Sequence, residues 1–172
     1  MERERENIWA PWRIGYIVNI DKNDDGCFLC DNIADVDDDQ DNYVLWRSQH
    51  SVVVFNHYPY NNGHMLIVPQ RHIADLSEAT DEEMLDLMRL VREAQKCLSL
   101  AINPQGFNVG LNAGRCAGAG LPGHLHVHIV PRWNGDTNFM SICSDTEVIS
   151  QSMRELFDQL KETSEEHDLP KL

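Results

Sequence analysis

Gly123-His124-Leu125-His126-Val127-His128-Ile129-Val130-Pro131-Arg132 decides how this chain is read. Successive side chains of a strand point to opposite faces. A strand over 124–130, closed by Pro131, therefore puts His124, His126 and His128 on one face and gives Leu125, Val127 and Ile129 to the core. Three imidazoles are costly on a face meant only to pack. A single three-histidine metal site fits the spacing poorly. At about 3.3 Å per residue, His124 and His128 start about 13 Å apart, and metal–nitrogen bonds are only about 2 Å long. The three divide into different jobs. Covalent catalysis at phosphorus suits them better, because a neutral imidazole keeps a nucleophilic lone pair near pH 7. Its second nitrogen can donate to a carbonyl, while neighbouring donors hold the phosphoryl oxygens where charge develops. The loop just upstream, 112–123, carries Gly114, Gly118 and Gly120, which let backbone approach a phosphate closely.

Outward from this run the pattern is that of one mixed domain. Stretches 43–47 and 51–56 are rich in Val, Tyr, Trp and Phe and read as a strand pair across Ser48-Gln49-His50. Turn residues fill 56–63, and 64–68 is a further strand stopped by Pro69. The period then changes. Thr80-x-x-Glu83 is a capping box. Met84, Leu85, Leu87, Met88, Val91, Ala94, Cys97 and Leu98 follow at helical spacing, predicting a helix over about 81–100 that ends before Pro104. A strand at 106–111 comes next, and Ser144-x-x-Glu147 predicts a last helix over 146–163. The expected class is α+β, a mainly antiparallel sheet with two principal helices packed on it. The expected organisation is a single domain over 1–172, with an N-terminal extension (1–41), a core (42–142) and a C-terminal helix and tail (143–172).

Charge narrows the partners. A net charge of −14 argues against wholesale binding of nucleic acid, which rests on many Lys and Arg contacts to phosphates. Acidic runs at 21–41, 81–83 and the C-terminal tail read as solvated loops and helix ends. No stretch approaches 18 apolar residues, so no membrane span is expected. The charged start, Met1-Glu2-Arg3-Glu4-Arg5-Glu6, is not a secretory signal. The expected location is cytoplasmic. Among the five cysteines, Cys27-Phe28-Leu29-Cys30 has the spacing of half a tetrahedral zinc site, and Cys97, Cys116 and Cys143 read as small buried residues.

The run at 123–132 resembles the histidine triad family, whose pattern is His-x-His-x-His followed by apolar residues. Asn61-Asn62-Gly63-His64-Met65-Leu66-Ile67-Val68-Pro69 is similar to an earlier strand of that family. Trp9-Ala10-Pro11-Trp12-Arg13, Gly106–Asn112 and the segment from Pro131 to Phe139 look more specifically like its bacterial diadenosine tetraphosphate phosphorylase branch.

The resemblance implies roles. His126 is the nucleophile that takes AMP from the α-phosphorus, and His128 contacts the phosphoryl group. Asn56, eight residues before His64, matches the ribose-binding position. His64 flanks the site, and Asn112 faces the substrate phosphates. Gly120 and Leu121 stand where many relatives carry Gln and Ser or Thr, so the backbone N–H groups of Gly118 to Gly120, or Arg115, are left to hold the leaving group. The resemblance also completes the metal half-site: His72 and His124 join Cys27 and Cys30 around a structural zinc, with His50 as the other candidate for the third ligand.

The expected function is nucleotidyl transfer at the α-phosphate of adenosine nucleotides, in particular phosphorolysis of diadenosine tetraphosphate to ATP and ADP with inorganic phosphate. Hydrolysis of a nucleoside phosphoramidate or dinucleoside polyphosphate is the alternative within the class. A nucleotide-binding regulatory protein with little turnover is the alternative outside it. The resemblance further implies a homodimer with a continuous sheet, and Trp9, Trp12 and Trp133 are candidates for its interface or for the base pocket.

Overall fold

The computed structural model describes residues 26–137 and 149–172. Trp9, Trp12, Cys143 and the Ser144-x-x-Glu147 box lie outside the described residues. In chain order the elements are α1 (Phe28–Ala34), β1 (Val44–Arg47), β2 (Ser51–Phe55), β3 (Met65–Pro69), α2 (Asp81–Ile102), β4 (Gly106–Leu111), β5 (Val127–Arg132) and α3 (Met153–Glu166). Short 3-10 turns occupy Leu76–Glu78 and Arg115–Ala117.

The five strands form one sheet in the order β1-β2-β3-β5-β4 with every pairing antiparallel. The α+β expectation holds. Alternation sorts the side chains. Val53, Phe55, Met65, Ile67, Val127 and Ile129 face α2 and α3, where Leu90, Ala94, Leu98, Phe157 and Leu160 complete a closed core. Val52, Val54, Leu66 and Val68 point the other way and are covered by Leu29 of α1, with Ile33 and Leu121 alongside. Val44 belongs to this second layer and Trp46 to the first, because a bulge between them shifts the register against β2. The helix α1 thus covers the β1–β3 half of that face, and among the described residues nothing covers the β5–β4 half.

Thr80 caps α2 through the expected box with Glu83, and the helix ends at Asn103 in the left-handed conformation, just before Pro104. Its buried stripe is narrower than predicted. Met84, Leu85 and Met88 face solvent, while Leu87, Leu90, Val91, Ala94, Cys97 and Leu98 are buried at three- and four-residue steps. The last helix needs a larger correction. Residues 149–152 are not helical. Ser152 caps the helix in a box with Glu155. Two Ser-x-x-Glu boxes follow each other in the sequence, and the second is the one that leads into the buried set Leu156, Phe157 and Leu160.

The histidine strand is also displaced. It runs Val127–Arg132, so His124 and His126 precede it and Pro131 lies inside it, paired with Phe107. On the other side β3 pairs only as far as Ile129. Beyond that residue β5 has one neighbour among the described residues, and a proline without an N–H is tolerated as on an edge strand.

Candidate active site

His128 pairs with Leu66 on one side and Gly110 on the other, which turns it to the open half of the sheet. Main-chain groups fix the protons of the histidines around it. A carbonyl only accepts, and the His124 carbonyl lies 2.7 Å from His126 Nδ1. His126 therefore carries its proton on Nδ1 and keeps a lone pair on Nε2. The Tyr60 N–H donates to His64 Nδ1 at 3.0 Å, so the His64 proton is on Nε2, which donates to His128 Nδ1 at 2.9 Å. His128 must then be protonated at Nε2. That N–H is buried and has no acceptor among the described residues. A buried donor left unpaired is unusual in a native fold, and an incoming phosphoryl oxygen would satisfy it.

Burial keeps these rings neutral. It pushes His64 down to about 3, with further lowering from His128 and then His126. It pushes His128 down to about 4, helped by His126. Burial also lowers His126, against the opposing bond to the His124 carbonyl. The Tyr60 ring lies over the pair, stacked on His128 at 5.8 Å between centroids and tilted on His64 at 4.5 Å.

From His128 a cleft of about 400 Å³ extends over β4, lined among others by Tyr60, Asn108, Gly110, Asn112 and Arg132. Of the substrate-contact candidates, Asn112 and His128 line it, and His64 stands behind His128. Asn56 lies against the His64 ring, with its Nδ2 at 3.3 and 3.4 Å from the two ring nitrogens. Gly118, in the left-handed conformation, accepts a bond from the Asn112 amide at 3.4 Å, and exposed Gly120 lies further along the same loop. At the far end Arg132 donates to both carboxylate oxygens of Asp136 at 2.7 and 2.9 Å. Asn61 and the Trp133 N–H donate to the same carboxylate. The Arg132 guanidinium holds Asp136 well below the usual carboxylate range.

His124 belongs to a second cluster. Its Nε2–H donates to the Pro69 carbonyl at 2.9 Å, which leaves the Nδ1 lone pair 3.2 Å from Cys27 Sγ and 3.4 Å from Cys30 Sγ. His72 Nδ1 lies 3.1 Å from Cys30 Sγ. The four ligand atoms are all within 4.8 Å of one another, close to the edges of a tetrahedron with bonds of about 2.0–2.3 Å. Burial, then the neighbouring Cys27, pushes the Cys30 thiol up to about 11. A divalent cation is what would hold both sulfurs as thiolates. His50 is not part of the cluster.

Sequence reasoning missed Tyr60, Gly110 and the Asn61–Arg132–Asp136 network. The pairing of Gly110 with His128 depends on register, which no local pattern reveals.

A model of the HIT domain matches residues 38–135. The chain belongs to the histidine triad family. Among its family relatives is the AP-4-A phosphorylase of Mycobacterium tuberculosis, 37% identical over 156 residues that cover 87% of this chain and 80% of the relative. The asymmetrical bis(5'-nucleosyl)-tetraphosphatase of Schizosaccharomyces pombe is 36% identical over 93 residues, 54% of this chain and 50% of that one. A Zn-bound histidine triad family protein from Mycobacterium smegmatis shares the fold at a TM-score of 0.67 and 19% identity, covering 83% of this chain and 96% of that one.

Proposed function

We propose that this histidine triad protein transfers an adenylyl group through His126, and that its reaction is phosphorolysis of diadenosine tetraphosphate. It is a nucleotide-processing enzyme by family, and the 37% identity to an AP-4-A phosphorylase over most of both chains favours that member of the class. The observation that carries the mechanism is the set of fixed protons: a lone pair on His126 Nε2 beside an unsatisfied N–H on His128.

In this reading His126 Nε2 attacks the α-phosphorus. The bond to the bridging oxygen breaks, ATP departs, and AMP is left on His126. Inorganic phosphate then attacks the same phosphorus, releasing ADP and restoring the free imidazole. His128 Nε2–H donates to a phosphoryl oxygen as charge builds there, a role in which one donor is worth about 10²–10³ in rate. Asn56 takes the ribose, Asn112 and the Gly118–Gly120 loop lie around the phosphates, and His64 flanks the site by holding His128.

Zinc fits Cys27, Cys30, His72 and His124. Its contribution when bound is structural, joining α1 to the segment that leads into β5. Pairing of two exposed β4 edges would continue the sheet across a homodimer. A cytoplasmic setting agrees with thiolate ligands. Among the described residues no helix is long and apolar enough to cross a membrane.

Product analysis with and without inorganic phosphate tests the assignment. ADP and ATP should form with phosphate, and His126→Asn should bind nucleotide but form no adenylylated protein. AMP as the sole partner of ATP, unaffected by phosphate, would make the enzyme a hydrolase. Full activity of His126→Asn would end the mechanism.

A further inference from the structure

Gly110 lies in mid-strand, directly across the β4–β5 ladder from His128. A Cβ built on it meets no atom of the described residues within 4 Å, and its φ is outside the left-handed region. Among the described residues neither crowding nor strain asks for glycine there. Glycine inside a strand weakens it and often marks close approach by a ligand. The space above Gly110 is the cleft of about 400 Å³, within the range of about 300–1,000 Å³ typical of small-molecule sites.

The lining shows what kind of group would fit. Asn112, Gly110 and Asn108 follow one another on the same face, a run of about 13 Å at strand spacing. At the His128 end stands the unpaired Nε2–H. At the Asn108 end the guanidinium of Arg132 is already paired with both oxygens of Asp136 and with Asn108 Oδ1. That end is electrically balanced and amide-rich, which suits an uncharged nucleoside better than a phosphate. Asn56 and His64 lie on the β3 side of β5, and Gly110 on its β4 side. The cleft thus lies on the opposite side of His128 from Asn56, the ribose candidate.

We propose that the β4–β5 cleft is the subsite of the departing nucleotide. Its phosphates cross Gly110 and its nucleoside lies towards Asn108 and the Arg132–Asp136 pair. The absent side chain at 110 is what makes room for it. The inference rests on the adenylyl-transfer reading and assigns the second half of its substrate.

The test is a size series at Gly110 (Ala, Val, Leu) on the non-reacting His126→Asn background, with calorimetric Kd for AMP and for diadenosine tetraphosphate. Nothing among the described residues opposes the larger side chains, and valine favours a strand, so thermal midpoints should not fall. Affinity for the dinucleotide should weaken stepwise to about tenfold or more at Leu, while AMP affinity stays unchanged. Equal weakening for both ligands, no weakening for either, or a dinucleotide that binds the parent no better than AMP overturns the subsite. Failure of the parent to bind either nucleotide overturns the adenylyl-transfer reading itself.

Discussion

Replacing His64 by leucine separates two contributions of one buried ring. His64 is 1% exposed and links the Tyr60 N–H to His128 Nδ1. At pH 7 the change leaves the His128 nitrogen without its donor, a cost of about 1–3 kcal/mol. The Tyr60 amide, on a half-exposed residue, can turn to water. Acid adds an opposite effect. The unfolded chain protonates this histidine near 6.5, but the folded chain resists down to about 3. Between those values the unfolded state holds more protons, so His64 costs the wild type stability as pH falls. At pH 5 that loss is about 2 kcal/mol. Leucine does not titrate. The stability deficit of His64→Leu, measured by urea unfolding, should therefore shrink by about 2 kcal/mol between pH 7 and pH 5. A deficit equal at both pH values would refute the reasoning, since His64 would then not be held neutral by the fold.

Gly63→Ala should destabilise by about 1–3 kcal/mol. Gly63 has φ +77, and a Cβ there would stand 3.0–3.1 Å from Leu98, Ile102 and Pro131; an unchanged urea midpoint would show that the α2–β5 contact yields more easily than its packing suggests. A strong chelator should lower the thermal midpoint of the native protein and leave a Cys27→Ala, Cys30→Ala double variant unmoved. A native midpoint indifferent to the chelator sinks the metal clip.

Much of the site was legible because its signals are local. Alternation placed Val127 and Ile129 against the core and His128 on the opposite face, and the spacing argument separated His124 from His128. Half of the metal cluster was legible in the Cys27–Cys30 spacing, but its histidine half only through family resemblance, since nothing between Cys30 and His72 announces that they meet. Errors arose where a local rule had competitors. Pro131 reads as a strand stop, yet the short reach of β3 leaves it a free edge. Residues 146–163 read as one helix, yet the chain at 149–152 is not helical and a second box at Ser152 caps the helix Met153–Glu166. Tyr60 was not legible, because it acts through its main-chain N–H and the face of its ring. Gly110 left a mark, a glycine inside an expected strand, but its place opposite His128 depends on the β4–β5 register.

His124 serves two neighbours with different parts of itself: its ring faces the cysteines, and its carbonyl fixes the proton on His126. Every amino acid supplies that carbonyl. A lineage could therefore lose the cysteines, His72 and even the His124 imidazole without altering the atom that sets the nucleophile's tautomer. Metal dependence and chemistry, though joined at one residue, can be inherited separately.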